Sequence, residues 1–166
     1  MIIYTIGFTQ KSAKDFFEAL RYRGVQILID VRLKNKSFMA KYSYGGDDEL
    51  GYLLEKICNC KYEHKTKYAP TKEILDDYKK KKITWAEYKV KYRALMDERK
   101  SVEDFITFFN GLYDSVCLLC AEPTPEHCHR RLFAEMIKEK LCDVEIEDIL
   151  KKEKAKRVKK KIQNEN

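Results

Sequence analysis

The feature that most constrains this chain is the recurrence of short apolar runs that stop abruptly at a polar residue or a glycine. Ile2–Ile6 stops at Gly7, Val25–Val31 encloses Asp30 and stops at Arg32, and Val116–Cys120 stops before Glu122. Runs of this length without polar alternation read as strands covered on both faces. The stretches between them carry the other period, with apolar residues three and four apart. Phe16, Phe17 and Leu20 follow an N-cap pattern at Ser12 and precede Gly24. Leu50, Leu53, Leu54 and Ile57 share one face of a helix over 47–57. Strands that alternate with helices predict one α/β domain. Its sheet is open and mainly parallel, with helices on both faces in Rossmann-like layering.

Further along, a short strand is expected around Tyr62–His64. Helices are expected over 71–80, over 84–96 behind the capping box Thr84-x-x-Glu87, and over 101–113 capped by Ser101 and Asp104. A helix opening at Thr124-Pro125 and running to Lys140 is expected to turn Leu132, Phe133, Met136 and Ile137 inward. Val144–Ile149 closes the set as a last strand. Residues 33–46 have no period and read as a loop. Trp85, Tyr88, Tyr92 and Leu95 keep helical spacing and read as core.

The net charge of +7 is uneven. Residues 151–166 carry eight Lys/Arg against two Glu, which leaves residues 1–150 with 26 basic and 25 acidic side chains. The domain is therefore expected over 1–150 and nearly neutral. A basic tail over 151–166 reads as a flexible or helical extension, and such a tail is a contact surface for nucleic-acid phosphates. No apolar run approaches the roughly 20 residues of a membrane span. The start of the chain reads as a buried strand, not a signal peptide. With six cysteines in a Lys-rich chain lacking a signal, reduced thiols and a cytoplasmic location are expected.

The chemistry concentrates in Val116–Arg131. Two of the three histidines and two of the six cysteines fall within ten residues there, beside Glu122, Arg130 and Arg131. In an open α/β sheet the carboxyl ends of the strands form the ligand crevice, so Asp30, Arg32, Cys120 and Glu122 are expected at one edge. The next helix brings His129 and Arg130 to it. Cys128, placed in the first turn of that helix, would have its thiol acidified by the helix dipole. Arg130 and Arg131 lie about 100° apart on the helix, so one of them points inward.

Three chemistries fit these residue types. One is a Cys120 or Cys128 nucleophile, as in phosphatases or sulfurtransferases, although no cysteine has an arginine six residues later to wrap a phosphate. A second is a metal bound by Cys120, Cys128 and His129 with His127 or His64. Cys117 is excluded from it, because strand residues three apart face opposite sides. The third is acid–base hydrolysis by Glu122, Asp30 and His129, with Arg32 and Arg130 orienting an anionic substrate.

The blocks Tyr4-Thr-Ile-Gly-Phe-Thr9, Leu28-Ile-Asp-Val-Arg32, Tyr62-Glu-His64 and Leu118-Leu-Cys-Ala-Glu122 followed by Cys128-His-Arg130 resemble the bacterial and archaeal family called domain of unknown function 488. The resemblance covers most of residues 1–149, and its last block is the most specific. It implies a single α/β domain with a site that includes Thr5, Gly7, Asp30, Arg32, Cys120, Glu122, Cys128, His129 and Arg130. Phe8 and Thr9 stand where the family usually has His and Ser, so any role of that histidine is lost here. Leu33-Lys-Asn-Lys-Ser37 keeps the family's serine without its proline.

The expectation is an enzyme-like pocket for a phosphate-bearing anion, a nucleotide or nucleic acid among them. Asp30, Glu122, His129, Cys120 and Cys128 are its catalytic candidates. Thr5, Gly7, Arg32 and Arg130 are its substrate-binding candidates. No metal ligand is assigned, whether a metal binds stays open with the cofactor and the oligomeric state, and no membrane partner is expected. The alternatives are a cysteine-dependent sulfurtransferase- or phosphatase-like enzyme and a noncatalytic nucleic-acid-binding module working through the tail.

Overall fold

A computed structural model describes residues 1–35 and 47–150, without the side chains of Asp47 and Asp48. Five strands, β1 (Ile2–Gly7), β2 (Ile27–Asp30), β3 (Lys61–His64), β4 (Ser115–Cys120) and β5 (Glu145–Ile149), form one sheet in the order β3-β2-β4-β1-β5. Every pairing is parallel. Six α-helices accompany them among the described residues: α1 (Ala13–Tyr22), α2 (Asp47–Cys58), α3 (Lys72–Lys79), α4 (Trp85–Glu98), α5 (Ser101–Phe109) and α6 (His129–Lys140). A 3-10 turn spans Thr66–Tyr68. The expected α/β layering is what the chain adopts.

Residue alternation on the strands divides the core into two layers. Tyr4, Ile6, Leu28, Cys117 and Leu119 pack with Phe16, Phe17 and Leu20 of α1 and Leu50 and Leu54 of α2. Ile3, Ile27, Ile29, Val116 and Leu118 face the other way, into a larger layer with Tyr88, Tyr92, Phe105, Phe133 and Ile137. Two buried hydroxyls there are satisfied by hydrogen bonds. Tyr92 donates to the Tyr68 carbonyl at 2.6 Å, and Tyr68 donates to Asp104 Oδ2 at 2.7 Å.

Helix ends follow sequence chemistry in four places. Ser12 accepts from the Asp15 amide at 3.0 Å, Thr71 caps α3, and Thr84 with Glu87 forms the reciprocal box at the start of α4. Gly24, at φ +60°, turns the chain out of α1 into β2.

Two expected starts move. Ser101 does not cap α5. Its hydroxyl donates to the Lys67 carbonyl, Asp104 is taken by Lys67 and Tyr68, and a left-handed Lys100 begins the helix. Likewise α6 begins at His129 and not at Pro125. Residues 125–128 close a turn in which the Cys128 amide donates to the Pro125 carbonyl at 3.2 Å, leaving Cys128 in extended conformation as the N-cap. Cys142 is exposed. The loop expectation for 36–46 and the tail over 151–166 lie outside the described residues.

In this strand order the chain leaves β2 toward β3 and leaves β4 toward β5, in opposite directions from neighbouring strands. That divergence opens the crevice at the carboxyl ends of β2 and β4.

Candidate functional site

The floor of the crevice is built from the ends of three strands. After β1 the chain runs on along β4, with the Phe8 amide donating to the Cys120 carbonyl at 3.2 Å and the Thr9 amide to the Ala121 carbonyl at 3.3 Å. The Thr9 hydroxyl donates to the same Ala121 carbonyl at 2.7 Å. Gly7 sits under this crossing. A Cβ placed on it would lie 1.7 Å from the Glu122 carbonyl oxygen, so only glycine lets the two backbones meet. The loop carrying Glu122 is thereby held over the first strand, where its carbonyl accepts from Arg130 Nη1 at 2.7 Å.

Cys120 ends β4 on the face opposite Cys117, turned toward the larger core layer. It meets Cys128, the N-cap of α6, and His129, the first residue of that helix. Their donor atoms lie within 4.8 Å of one another, and all three residues are buried. His129 Nε2 lies 2.8 Å from the Val31 carbonyl, which fixes it as the N–H-bearing nitrogen. The Cys120 sulfur is 4.0 Å from Nδ1 and 3.9 Å from Nε2. Near-equal distances mean that neither N–H points straight at the sulfur, so any attraction between the two groups is one of charge and not of a directed hydrogen bond.

A hydrogen bond from the Cys128 thiol holds the Cys120 pKa well below the ordinary thiol range. Burial opposes this, while His129 and Arg130 reinforce it. Burial drives Cys128 the other way, well above that range, with the neighbouring Cys120 charge adding to it. Burial pulls His129 down, but the Cys120 thiolate and the Val31 carbonyl outweigh it and leave its pKa raised. These directions favour charge on Cys120 and His129 and disfavour it on Cys128.

Arg130 supports the same reading. It is fully buried, and no carboxylate lies within ion-pairing distance of it among the described residues. Its guanidinium donates to the Thr5 hydroxyl at 3.3 Å, the Glu122 carbonyl and the Cys128 sulfur at 3.4 Å. Thr5 in turn donates to Asp148 Oδ1 at 2.5 Å. An arginine buried without a carboxylate is costly unless negative charge stands close by, and a thiolate in this cluster would supply it. Arg131 turns outward to Glu135.

Above the cluster opens a cavity of about 710 Å³. Arg32, Cys120, Glu122, Cys128 and His129 line it, joined by the apolar wall of Leu75, Tyr78, Ile83 and Tyr88. Lys34, Lys72, Lys79 and Lys81 give its mouth an excess of positive charge over Asp76 and Glu122. That volume suits a ligand of metabolite size. Of the sequence candidates, Asp30, Thr5, Gly7 and Arg130 stand behind the lining.

Asp30 is completely buried on the opposite face of the sheet from Cys120. It takes two hydrogen bonds from the Arg32 guanidinium, at 2.8 and 2.5 Å, and one from the Tyr62 hydroxyl at 2.9 Å. It orients Arg32, whose guanidinium carbon lies 5.0 Å from the centre of the Phe8 ring. His64 Nε2 meets the Arg32 carbonyl at 2.7 Å and stays apart from the cysteines.

The lining from α3 and α4 was missed from sequence. The sequence predicts a helix over 71–80 with no link to the site, and only the packing of α3 beside the crevice reveals its part in the lining.

Cys120, Cys128 and His129 are the donor set a metal would use among the described residues. A metal shared by Cys120 and Nδ1 needs the sulfur on the lone-pair side of Nδ1, clearly nearer to it than to Nε2. The ring as held by Val31 does not offer that, so the arrangement fits a thiolate–imidazolium pair better than a ready metal centre.

No curated protein and no solved structure matches this chain. A family model does, over residues 12–137, which takes in Asp30, Arg32 and the whole Cys120–Arg130 block but leaves Thr5 and Gly7 outside. The chain belongs to the family described as domain of unknown function DUF488.

Proposed function

We propose that the protein is a cysteine-dependent enzyme acting on an anionic substrate, with Cys120 as its nucleophile. One observation carries the reading: the Cys120 sulfur lies at the floor of the cavity, 3.9–4.0 Å from both nitrogens of a buried, anchored histidine. A thiolate is the reactive form of cysteine, and an adjacent imidazolium both stabilises it and can protonate a leaving group. The mouth lysines attract the anion, while the Arg32 charge is held by Asp30. Glu122 lines the same cavity and is the carboxylate nearest in sequence to the thiol, which suits it to proton transfer at the substrate. The tail offers phosphate contacts of its own, but no observation on the described residues favours the noncatalytic module.

The test is site-resolved alkylation of the full chain with anionic iodoacetate and neutral iodoacetamide, read by peptide mass spectrometry. Cys120 is expected to react before exposed Cys142, and to favour iodoacetate more than free glutathione does. Lys79→Glu combined with Lys81→Glu should slow iodoacetate several-fold and leave iodoacetamide unchanged. Alkylation led by Cys142, or reagent preference insensitive to the lysines, would overturn the proposal.

A further inference from the structure

We infer that Cys128 is a second redox-active thiol of this site, resolving a mixed disulfide on Cys120, so that the pocket reduces anionic disulfides. This rests on the reading of Cys120 as nucleophile and names the substrate class that reading leaves open.

The two sulfurs belong to one buried cluster at the cavity floor, yet they come from different elements, the end of β4 and the N-cap of α6. Cys128 has extended backbone and makes no side-chain capping bond, so its sulfur can swing toward Cys120 without unwinding α6. Arg130 Nη1 already donates to the Cys128 sulfur at 3.4 Å. Once Cys120 is tied up in a mixed disulfide and has lost its charge, that guanidinium is left beside Cys128 and favours its thiolate. A nucleophile acting alone needs no such partner. The arrangement supplies a second thiol, a cation for it and a histidine to carry the proton.

The atoms balance. The Cys120 thiolate attacks one sulfur of R–S–S–R′, and the S–S bond breaks. The thiol R′SH leaves with the proton of the His129 imidazolium, and Cys120–S–S–R remains. The neutral imidazole then takes the proton of Cys128, and the Cys128 thiolate attacks the Cys120 sulfur. RSH leaves with that proton, and Cys120–S–S–Cys128 forms. One disulfide is reduced to two thiols, and two protein thiols are oxidised to one disulfide. A reducing dithiol reverses the protein's change and is itself oxidised. The lysines at the mouth select disulfides bearing carboxylates or phosphates.

The full chain is treated with oxidised glutathione, and in parallel with the neutral hydroxyethyl disulfide, and followed by mass spectrometry and released thiol. Wild type is expected to release two thiols per chain and to yield a peptide linking Cys120 to Cys128, faster with glutathione disulfide at low salt. Cys128→Ser and Cys128→Ala should each stop at one released thiol, with the mixed disulfide on Cys120. A stable mixed disulfide on wild-type Cys120, with Cys128 still open to alkylation, would overturn this inference and leave the nucleophile standing. No adduct on Cys120 at all would overturn both.

Discussion

Gly7→Ala tests how the site is held together. The new methyl would sit 1.7 Å from the Glu122 carbonyl oxygen, against a normal contact of about 3.4 Å. The obstacle is backbone on both sides, so no rotamer change relieves it. Either strand β1 is displaced from β4, or the loop at Ala121–Pro123 lifts. Lifting the loop breaks the Arg130–Glu122 hydrogen bond at 2.7 Å and strains the two Thr9 bonds to Ala121. Overpacking of a tight site costs about 1–3 kcal/mol. Loss of a hydrogen bond from a buried charge costs a similar amount, about 1.5–3 kcal/mol. Either route therefore gives about 2 kcal/mol. For a domain of this size that lowers Tm by roughly 4–8 °C, measured by calorimetry or circular dichroism. Because the displaced loop also carries the cluster's flank, selective alkylation of Cys120 should weaken in the folded variant. A Gly7→Ala protein melting with wild type and alkylating normally would refute the close-approach account.

Asp30→Asn should destabilise the fold by about 3–5 kcal/mol, because it removes the charge of the buried carboxylate that ion-pairs with Arg32. Urea titration measures this, and a loss below about 1 kcal/mol would show that Arg32 is compensated elsewhere. His129→Gln removes the cation beside Cys120, so the pH profile of Cys120 alkylation should move to higher pH; an unmoved profile would assign the acidity to Cys128 and Arg130 alone. The Cys120–His129 pair also sets a pH window for stability. Cys120, depressed in the folded state, contributes in full above the ordinary thiol pKa of about 8.5 and loses this as pH falls through its folded value. His129, raised in the folded state, contributes in full below about 6.5 and loses this as pH rises through its folded value. Urea titrations of wild type and Cys120→Ser should differ least in acid, below the folded Cys120 value, and most above it. A gap that grows steadily toward acid would contradict the pairing.

The layering was legible because the signals behind it are local. Two-face burial of Ile2–Ile6 and Val116–Cys120, and caps at Ser12 and Thr84, follow from neighbouring residues. The alternation that removes Cys117 from the cluster is equally local, and so is the single inward arginine. What sequence could not supply was competition between distant groups. Ser101 and Asp104 look like a cap, but Lys67 and Tyr68 need them more. Thr124-Pro125 looks like a helix start, yet the chain makes a further turn before α6, which places Cys128 at the cap. Asp30 and Arg32 read as two members of a pocket, whereas their mutual bonds divide them, one buried behind the other. The cavity wall from α3 and α4 has no local signature, since Leu75, Tyr78 and Lys79 suit any surface helix.

The ultraviolet absorbance of the thiolate, compared between wild type and Cys120→Ser across pH, bears most directly on the site. The account predicts about one thiolate per chain at neutral pH in wild type, missing from Cys120→Ser. Identical curves for the two proteins, with no thiolate until pH nears the ordinary value of about 8.5, would contradict it.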